Sequence, residues 1–422
     1  MQSQPLIIND AIVFGLLMLC IAGIFYTSSI NGGFWEKFYK VIPALLLCYL
    51  LPAIMSTAGL IDPEASQLYF VASRYLLPAS LVLMTLSIDL KAIYNLGPKA
   101  LIIFLTGTVG IIIGGPIAIL LISAVSPETV GGVGPDAVWR GLATLAGSWI
   151  GGGANQAAML EIFEFNPEKY GGMVFVDIVV ANLWMAIILM GIGKTDKIDR
   201  WLKADSSSIT DLKKRVSAYT EKVTRIPSLS DFMIMLGLAF GAVGFAHWGS
   251  EKISAFLTAN FAVFNDTKSA FSSFTSTFFW MITLATAIGI VLSFTPAKRY
   301  EGAGASKIGS IFIYILVATI GMKMDLTMIF DNPGLLAIGL VWMSIHAALL
   351  ILVAKLIRAP YFFLAVGSQA NVGGAASAPV VAAAFHPSLA TVGVLLAVMG
   401  YVVGTWGAYL CTLLMKMASA SA

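Results

Sequence analysis

Ten apolar runs, most of them of membrane-spanning length, leave this chain little choice of fold. In hydrocarbon every backbone N–H and C=O must be satisfied within the structure, so runs of this length become helices. They lie at 8–26, 41–59, 68–88, 100–125 and 173–192, then at 232–248, 274–294, 311–324, 335–356 and 389–415. With 58% hydrophobic residues, 11% charged residues and a mean hydropathy of +0.88, the chain reads as an all-α polytopic membrane protein whose solvent is the lipid bilayer. The net charge of +3, scattered over loops, offers no footprint for nucleic acid. Cys20, Cys48 and Cys411 sit inside apolar runs without C-x-x-C spacing, which points to neither disulfides nor zinc. No cofactor is indicated. Because no lysine or arginine precedes the first run, that run is expected to be a retained helix rather than a signal peptide.

Two segments break the pattern. Gly147 to Ala158 reads GSWIGGGANQAA, and Gly367 to Pro379 reads GSQANVGGAASAP. Lipid cannot satisfy broken backbone, so segments this rich in glycine and amides must be covered by protein or line a watery cavity. In secondary transporters such breaks, one per half, hold substrate and coupling ion. Close helix packing would explain the glycines, but not Asn155, Gln156, Gln369 or Asn371. The expectation is therefore a binding site, with Ser148, Asn155, Gln156, Ser368, Gln369, Asn371 and Ser377 meeting the substrate.

The two halves correspond in order. Asn9-Asp10 opens the first as Ser230-Asp231 opens the second, DLKAIYN from Asp89 answers DLTMIFD from Asp325, and Trp184 answers Trp406. The expected organisation is a first repeat over 1–193, a cytoplasmic linker over 194–230 and a second repeat over 231–422. If each glycine-rich segment dips and returns, each half crosses five times and the repeats are inverted. Loops on one side then carry eighteen lysines and arginines against five on the other, whereas twelve crossings give 16 against 7. The positive-inside rule favours the five-crossing arrangement, with both termini external. Within the linker, Ser208 and Asp211 begin an amphipathic helix running to about Val223 on the membrane surface.

Ionisable residues at membrane depth are costly and are functional candidates. Asp177 lies inside the fifth run with Asn182 at i+5, and both are expected to ligate a hard cation together with the backbone of Gly151, Gly152 and Gly153. A second set would comprise Gly373, Gly374 and Thr405. Arg74, seven residues into the third run with Pro78 four residues later, is placed either to fork a substrate carboxylate or to snorkel to the interface. His346 is a lone mid-helix histidine, more often packing than proton relay.

Over its whole length the chain resembles the YjcL-like family of bacterial membrane proteins, and its architecture is similar to that of the sodium:glutamate symporters and the 2-hydroxycarboxylate transporters. Those relatives carry a G-G-x-G tip in each of two re-entrant hairpins. The matching positions are Gly151-Gly152-Gly153-Ala154 and Gly373-Gly374-Ala375-Ala376, both ending in alanine. The resemblance implies two inverted five-helix repeats and a homodimer in the bacterial cytoplasmic membrane. It also implies sodium-coupled uptake of a small anionic metabolite by an elevator movement. A proton-coupled symporter or antiporter working through Asp177 is the alternative coupling. An intramembrane serine hydrolase, with Ser148 as nucleophile and His346 as base, is the alternative from another class. A passive channel fits less well, because two different broken segments suggest an occluded site rather than a continuous ring.

Overall fold

The computed structural model describes residues 6–39, 42, 44–86, 93–94, 96–205, 226–261, 272–328, 332–386 and 389–420. The linker helix expected over 208–223 lies outside the described residues, as does most of the DLKAIYN and DLTMIFD correspondence.

The described chain is all-helical apart from one isolated bridge between Ile7 and Ile61. Eight helices are long and apolar enough to cross a membrane, or up to ten if each of two bent pairs counts as one span, among the described residues. The protein is therefore a multi-pass membrane protein. Asn9 starts α1 (Asp10–Ser28) by accepting from the backbone N–H of Ala11 and Ile12. After a short helix at Gly33–Tyr39 come α2 (Ala44–Thr57) and α3 (Leu68–Leu86). Then come α4 (Pro98–Ser123), α5 (Val138–Ile162) and α6 (Tyr170–Ile192). The second half opens on a reciprocal capping box between Ser228 and Asp231, which starts α7 (Leu229–Asn260). This helix runs well past the apolar stretch read from the sequence, through a polar HWGSEK segment. It is followed by α8 (Thr277–Ser293), α9 (Ala305–Lys323) and α10 (Gly334–Leu356). A broken pair, α11 (Tyr361–Val372) and α12 (Gly374–Phe385), precedes α13 (Ala390–Ala420).

Both glycine-rich segments fold back on themselves. In α5 the break is Gly152, at φ 75° and ψ −174°, a conformation outside any helix. Arg140 near the start of α5 donates to the carbonyl of Phe163 just past its end, and the Trp139 and Phe163 rings lie 5.9 Å apart. A straight helix would separate those positions by roughly 35 Å at 1.5 Å per residue. In the second segment, Phe385 at the end of α12 contacts Tyr361 and Phe362 at the start of α11, with ring centroids 5.7 and 5.4 Å apart. The sequence left a full crossing or a dip and return open for these stretches. Each returns to the end of the bundle from which it started.

The helices sort into two bundles that cut across the division of the chain into halves. One holds α1, α2, α3, α7, α8 and α9, the first three helices of each half. The other holds α4, α5, α6, α10, α11, α12 and α13, and so contains both hairpins. Within the hairpin bundle, Gly114 and Gly115 let α4 approach Trp342 of α10, whose indole N–H donates to the Ile111 carbonyl at 2.8 Å. Loops collect at opposite ends. At one end Lys99 meets Asp205 at 3.1 Å and the Arg358 carbonyl at 3.3 Å, and the Tyr361 N–H donates to Asp199 at 2.7 Å. At the other, Lys323 meets Glu64 at 3.4 Å, and Asn332 donates to the Thr129 carbonyl at 3.0 Å.

Candidate functional site

The two hairpin tips meet. A methyl group built on Gly374, itself at φ 55°, would lie 3.9 Å from the Gly152 Cα. Around this point is a cavity of about 370 Å³. Its lining from the hairpin bundle includes Ser148, Gly152, Gly153, Gln156, Asp177 and Asn182, together with Gln369, Gly373, Gly374, Ser377 and Tyr401. The other bundle contributes Leu45, Met84, Ser310, Ile313 and Tyr314. The cavity thus lies on the seam between the bundles and takes residues from both.

Asp177, only 8% exposed, is held by three donors. The Ser148 hydroxyl donates at 2.7 Å and the Gln156 amide at 3.0 Å to one oxygen, while the Trp149 indole donates at 2.6 Å to the other. Ser148 and Trp149 belong to the first arm of α5, and Gln156 belongs to the second. The carboxylate on α6 therefore fastens both arms of the hairpin. A carboxylate offers about four lone-pair sites, so three are taken. Asp177 is the only acid, and no lysine, arginine or histidine appears, among the described residues that line this cavity.

In the second hairpin, Gln369 is 1% exposed and accepts from the Ser377 hydroxyl at 2.8 Å, while its amide nitrogen has no partner. A hydroxyl can donate or accept, so turning the amide over would still leave one end of Gln369 unpaired. The first turn of α12 begins beside it at Gly374, presenting N–H groups that have no partner within the helix.

Most of the remaining residues expected from the sequence fall elsewhere. Asn155 donates to the Gly151 carbonyl at 2.9 Å and accepts from Thr405 of α13 at 2.7 Å, so both residues tie the first hairpin to its neighbour. Gly151 packs against Gly404 and the Asn155 side chain. Asn371 bonds the Phe104 and Gly367 carbonyls at 2.9 and 3.0 Å and accepts from Thr108 at 2.7 Å, fixing the second hairpin to α4. Asn182 lines the cavity while donating to the Ile178 carbonyl at 2.8 Å.

Ser368 accepts from the Trp184 indole at 2.8 Å and bonds His346 Nε2 at 2.9 Å. Because the Gly107 carbonyl can only accept, His346 Nδ1 carries a proton in its 2.9 Å contact. The imidazole is wholly buried. Ser148 is engaged with Asp177 and is not brought to His346, the pairing a hydrolase reading required.

Arg74 lies away from the tips. It pairs with Glu161 at 2.6 Å and lines a second cavity of about 650 Å³, shared with Arg140, Glu164, Phe278 and Lys416. Trp149, Tyr401 and Tyr314 are site residues that sequence reasoning missed. Only Trp149 carried a signal, its place beside Ser148 in a polar, glycine-rich stretch.

The model of a family described as "Protein of unknown function (DUF819)" matches residues 15–418. This chain belongs to that family. The DUF819 match runs through both hairpins and every helix of both bundles. The chain is also similar to "Uncharacterized membrane protein YjcL" of Bacillus subtilis (strain 168), with 25% identity over 389 residues, covering 88% of this chain and 89% of that protein.

Proposed function

We propose that this protein is a cation-coupled secondary transporter of a small organic anion. In this reading the hairpin bundle carries the solute past the other bundle. The observation that carries it is the meeting of two broken helices beside a cavity that both bundles line. Broken helices at such a point expose N–H and C=O groups to a ligand without exposing them to lipid.

The solute's charge follows from the donors. The Gln369 amide nitrogen has no acceptor, and Gln369, Gly374 and Ser377 at the start of α12 line the cavity, where a helix N-terminus favours negative charge. An anion there shares a low-dielectric space with Asp177, and two negative charges so enclosed repel strongly. A cation that neutralises Asp177 makes room for the anion, so each favours binding of the other by the same factor. Sodium is the first reading, with Asn182 and the backbone of Gly151 to Gly153 adding oxygens. The second is a proton. It is favoured by the three donors already on Asp177, which leave little of the carboxylate for a metal ion but enough for a proton.

The gathering of Lys99, Asp205 and Arg358 at one end supports a cytoplasmic face there, with both termini external in the bacterial inner membrane. A homodimer is part of the same reading. The test is uptake of labelled glutamate, citrate, keto acids and acidic dipeptides into proteoliposomes, under a sodium gradient, a proton gradient or neither. Accumulation of one of them under a cation gradient supports the proposal. If none accumulates and none binds the purified protein, the reading fails.

A further inference from the structure

The two bundles meet through apolar and aromatic contacts almost everywhere, as where Phe279 of α8 packs on Trp406 and Tyr409 of α13. One place differs. Glu161, near the end of the first hairpin, receives Arg74 Nη1 on one oxygen at 2.6 Å and the Tyr69 hydroxyl on the other. Both donors come from α3. Of the ion pairs among the described residues, this one alone joins the two bundles.

The local fold is built to allow it. Residues five apart on a regular α-helix point about 140° away from each other, so Tyr69 and Arg74 would not normally reach one carboxylate. Around Arg74, α3 makes a π-helical turn over Ala72–Leu76, which departs from the regular 100° per residue and lets the two side chains meet on one carboxylate. Pro78 explains the turn in part, because it has no N–H to offer the Arg74 carbonyl four residues earlier. His247 of α7 supplies the missing donor at 2.9 Å. The ring of Phe278 lies 4.4 Å under the Arg74 guanidinium, and the Ser73 hydroxyl accepts from it at 3.2 Å. Proline, π turn, histidine and phenylalanine together fix an arginine and a tyrosine on a carboxylate that belongs to the other bundle.

We propose that Tyr69, Arg74 and Glu161 form a clasp that holds the hairpin bundle in the position seen here and that must open whenever the bundle moves. The inference rests on the moving-bundle reading of the function. The clasp borders the 650 Å³ cavity, so water can solvate the separated charges once the bundle shifts. Arg74 and Glu161 are thus positioning residues for a conformational state, not ligands of the solute at the tips.

The test places one spin label on each bundle, at Leu121→Cys of α4 and Phe256→Cys of α7, both exposed, with the native cysteines replaced. Inter-label distances are then measured in lipid nanodiscs. Glu161→Gln keeps the shape of the side chain but loses the charge-assisted bond. It is expected to move the ratio of the two distance populations at least about tenfold toward the second position. Arg74→Gln should do the same, Tyr69→Phe should do less, and the exchange Arg74→Glu with Glu161→Arg should restore much of the original ratio. If the wild type shows both distances and Glu161→Gln leaves their ratio unchanged, the clasp is wrong although the bundles move. If the wild type shows a single distance under every solute and cation condition, the moving-bundle reading fails and the clasp with it. Uptake, measured separately, tells those two failures apart. Loss of the monodisperse elution profile in Glu161→Gln, with the profile regained in the exchange variant, would make the pair a folding contact and overturn the proposal.

Discussion

Changing Gly152 to alanine separates a site built on backbone conformation from one built on space. A methyl group at Gly152 would meet only Tyr401 Cε1, at 3.7 Å, so there is room for it. The obstacle is the backbone, since φ 75° with ψ −174° is a region used almost solely by glycine. Holding another residue there costs about 1–3 kcal/mol. That is roughly a five- to hundredfold fall in the population of the intact tip. Gly153 is the internal control. Its φ is ordinary, its methyl group would touch Ile313 Cγ2 at 3.7 Å, and it begins the helical second arm, where alanine is preferred over glycine by roughly 0.5–1 kcal/mol. Uptake of whichever anion the proteoliposome screen identifies should therefore fall by about five- to hundredfold at limiting solute for Gly152→Ala and hold or rise for Gly153→Ala, at equal amounts of reconstituted protein. Equal uptake by the two variants would refute the argument, because steric room is similar and only the backbone demand differs.

Asp177→Asn should cost about 1–2 kcal/mol of stability and Asp177→Ala about 3–5, since asparagine can still accept from the Trp149 indole while Ser148 and Gln156 turn to accept from it. Thermal loss of monodisperse protein should rank wild type, asparagine, alanine; the reverse order would remove the three-donor cradle. In uptake, Asp177→Asn should raise the concentration of sodium needed for half-maximal rate, and a wild type indifferent to sodium but driven by a proton gradient would select the proton reading. Outside the spanning helices, hydrogen bonds from Asn166 and then Lys169 hold the Asp136 carboxyl below its ordinary pKa. Its contribution is therefore present above the normal carboxylate range and lost as pH falls through the depressed folded value. Asp136→Asn should flatten the acid side of the melting-temperature profile slightly, slightly because the pair is solvent-screened. For topology, an impermeant thiol reagent on intact cells should label Glu128→Cys and spare Lys203→Cys in a background without native cysteines; the opposite pattern would invert the assignment.

How far the sequence foretold this arrangement depends on whether a feature is local. Helices follow from apolar length alone, and breaks in the two glycine-rich segments follow from glycine and amides where lipid would punish them, so both were legible; whether each break crosses or turns back was left open, because that depends on contacts between its two arms. Gly152, Gly153, Gly373, Gly374, Gln156, Gln369 and Ser377 were expected near one another and line one cavity, because both copies of a broken segment share the same physical need to be covered. Partners across the fold were not legible. The depth of Arg74 could be read, but the face it presents depends on a π turn that shifts the register of α3, and Glu161 lies 87 residues further along. Asn155, Asn371 and Thr405 have the chemistry of ligands, and in a membrane that is also the chemistry of helix-to-helix ties. Composition cannot distinguish the two uses, since both place amides and hydroxyls on a buried face. The difference lies in whether every polar atom is already satisfied. Asn155 and Asn371 have their partners within the protein, and Gln369 has an end without one. That unpaired amide, in the lining of the cavity that Asp177 also lines, is the feature that most nearly requires something from outside the chain.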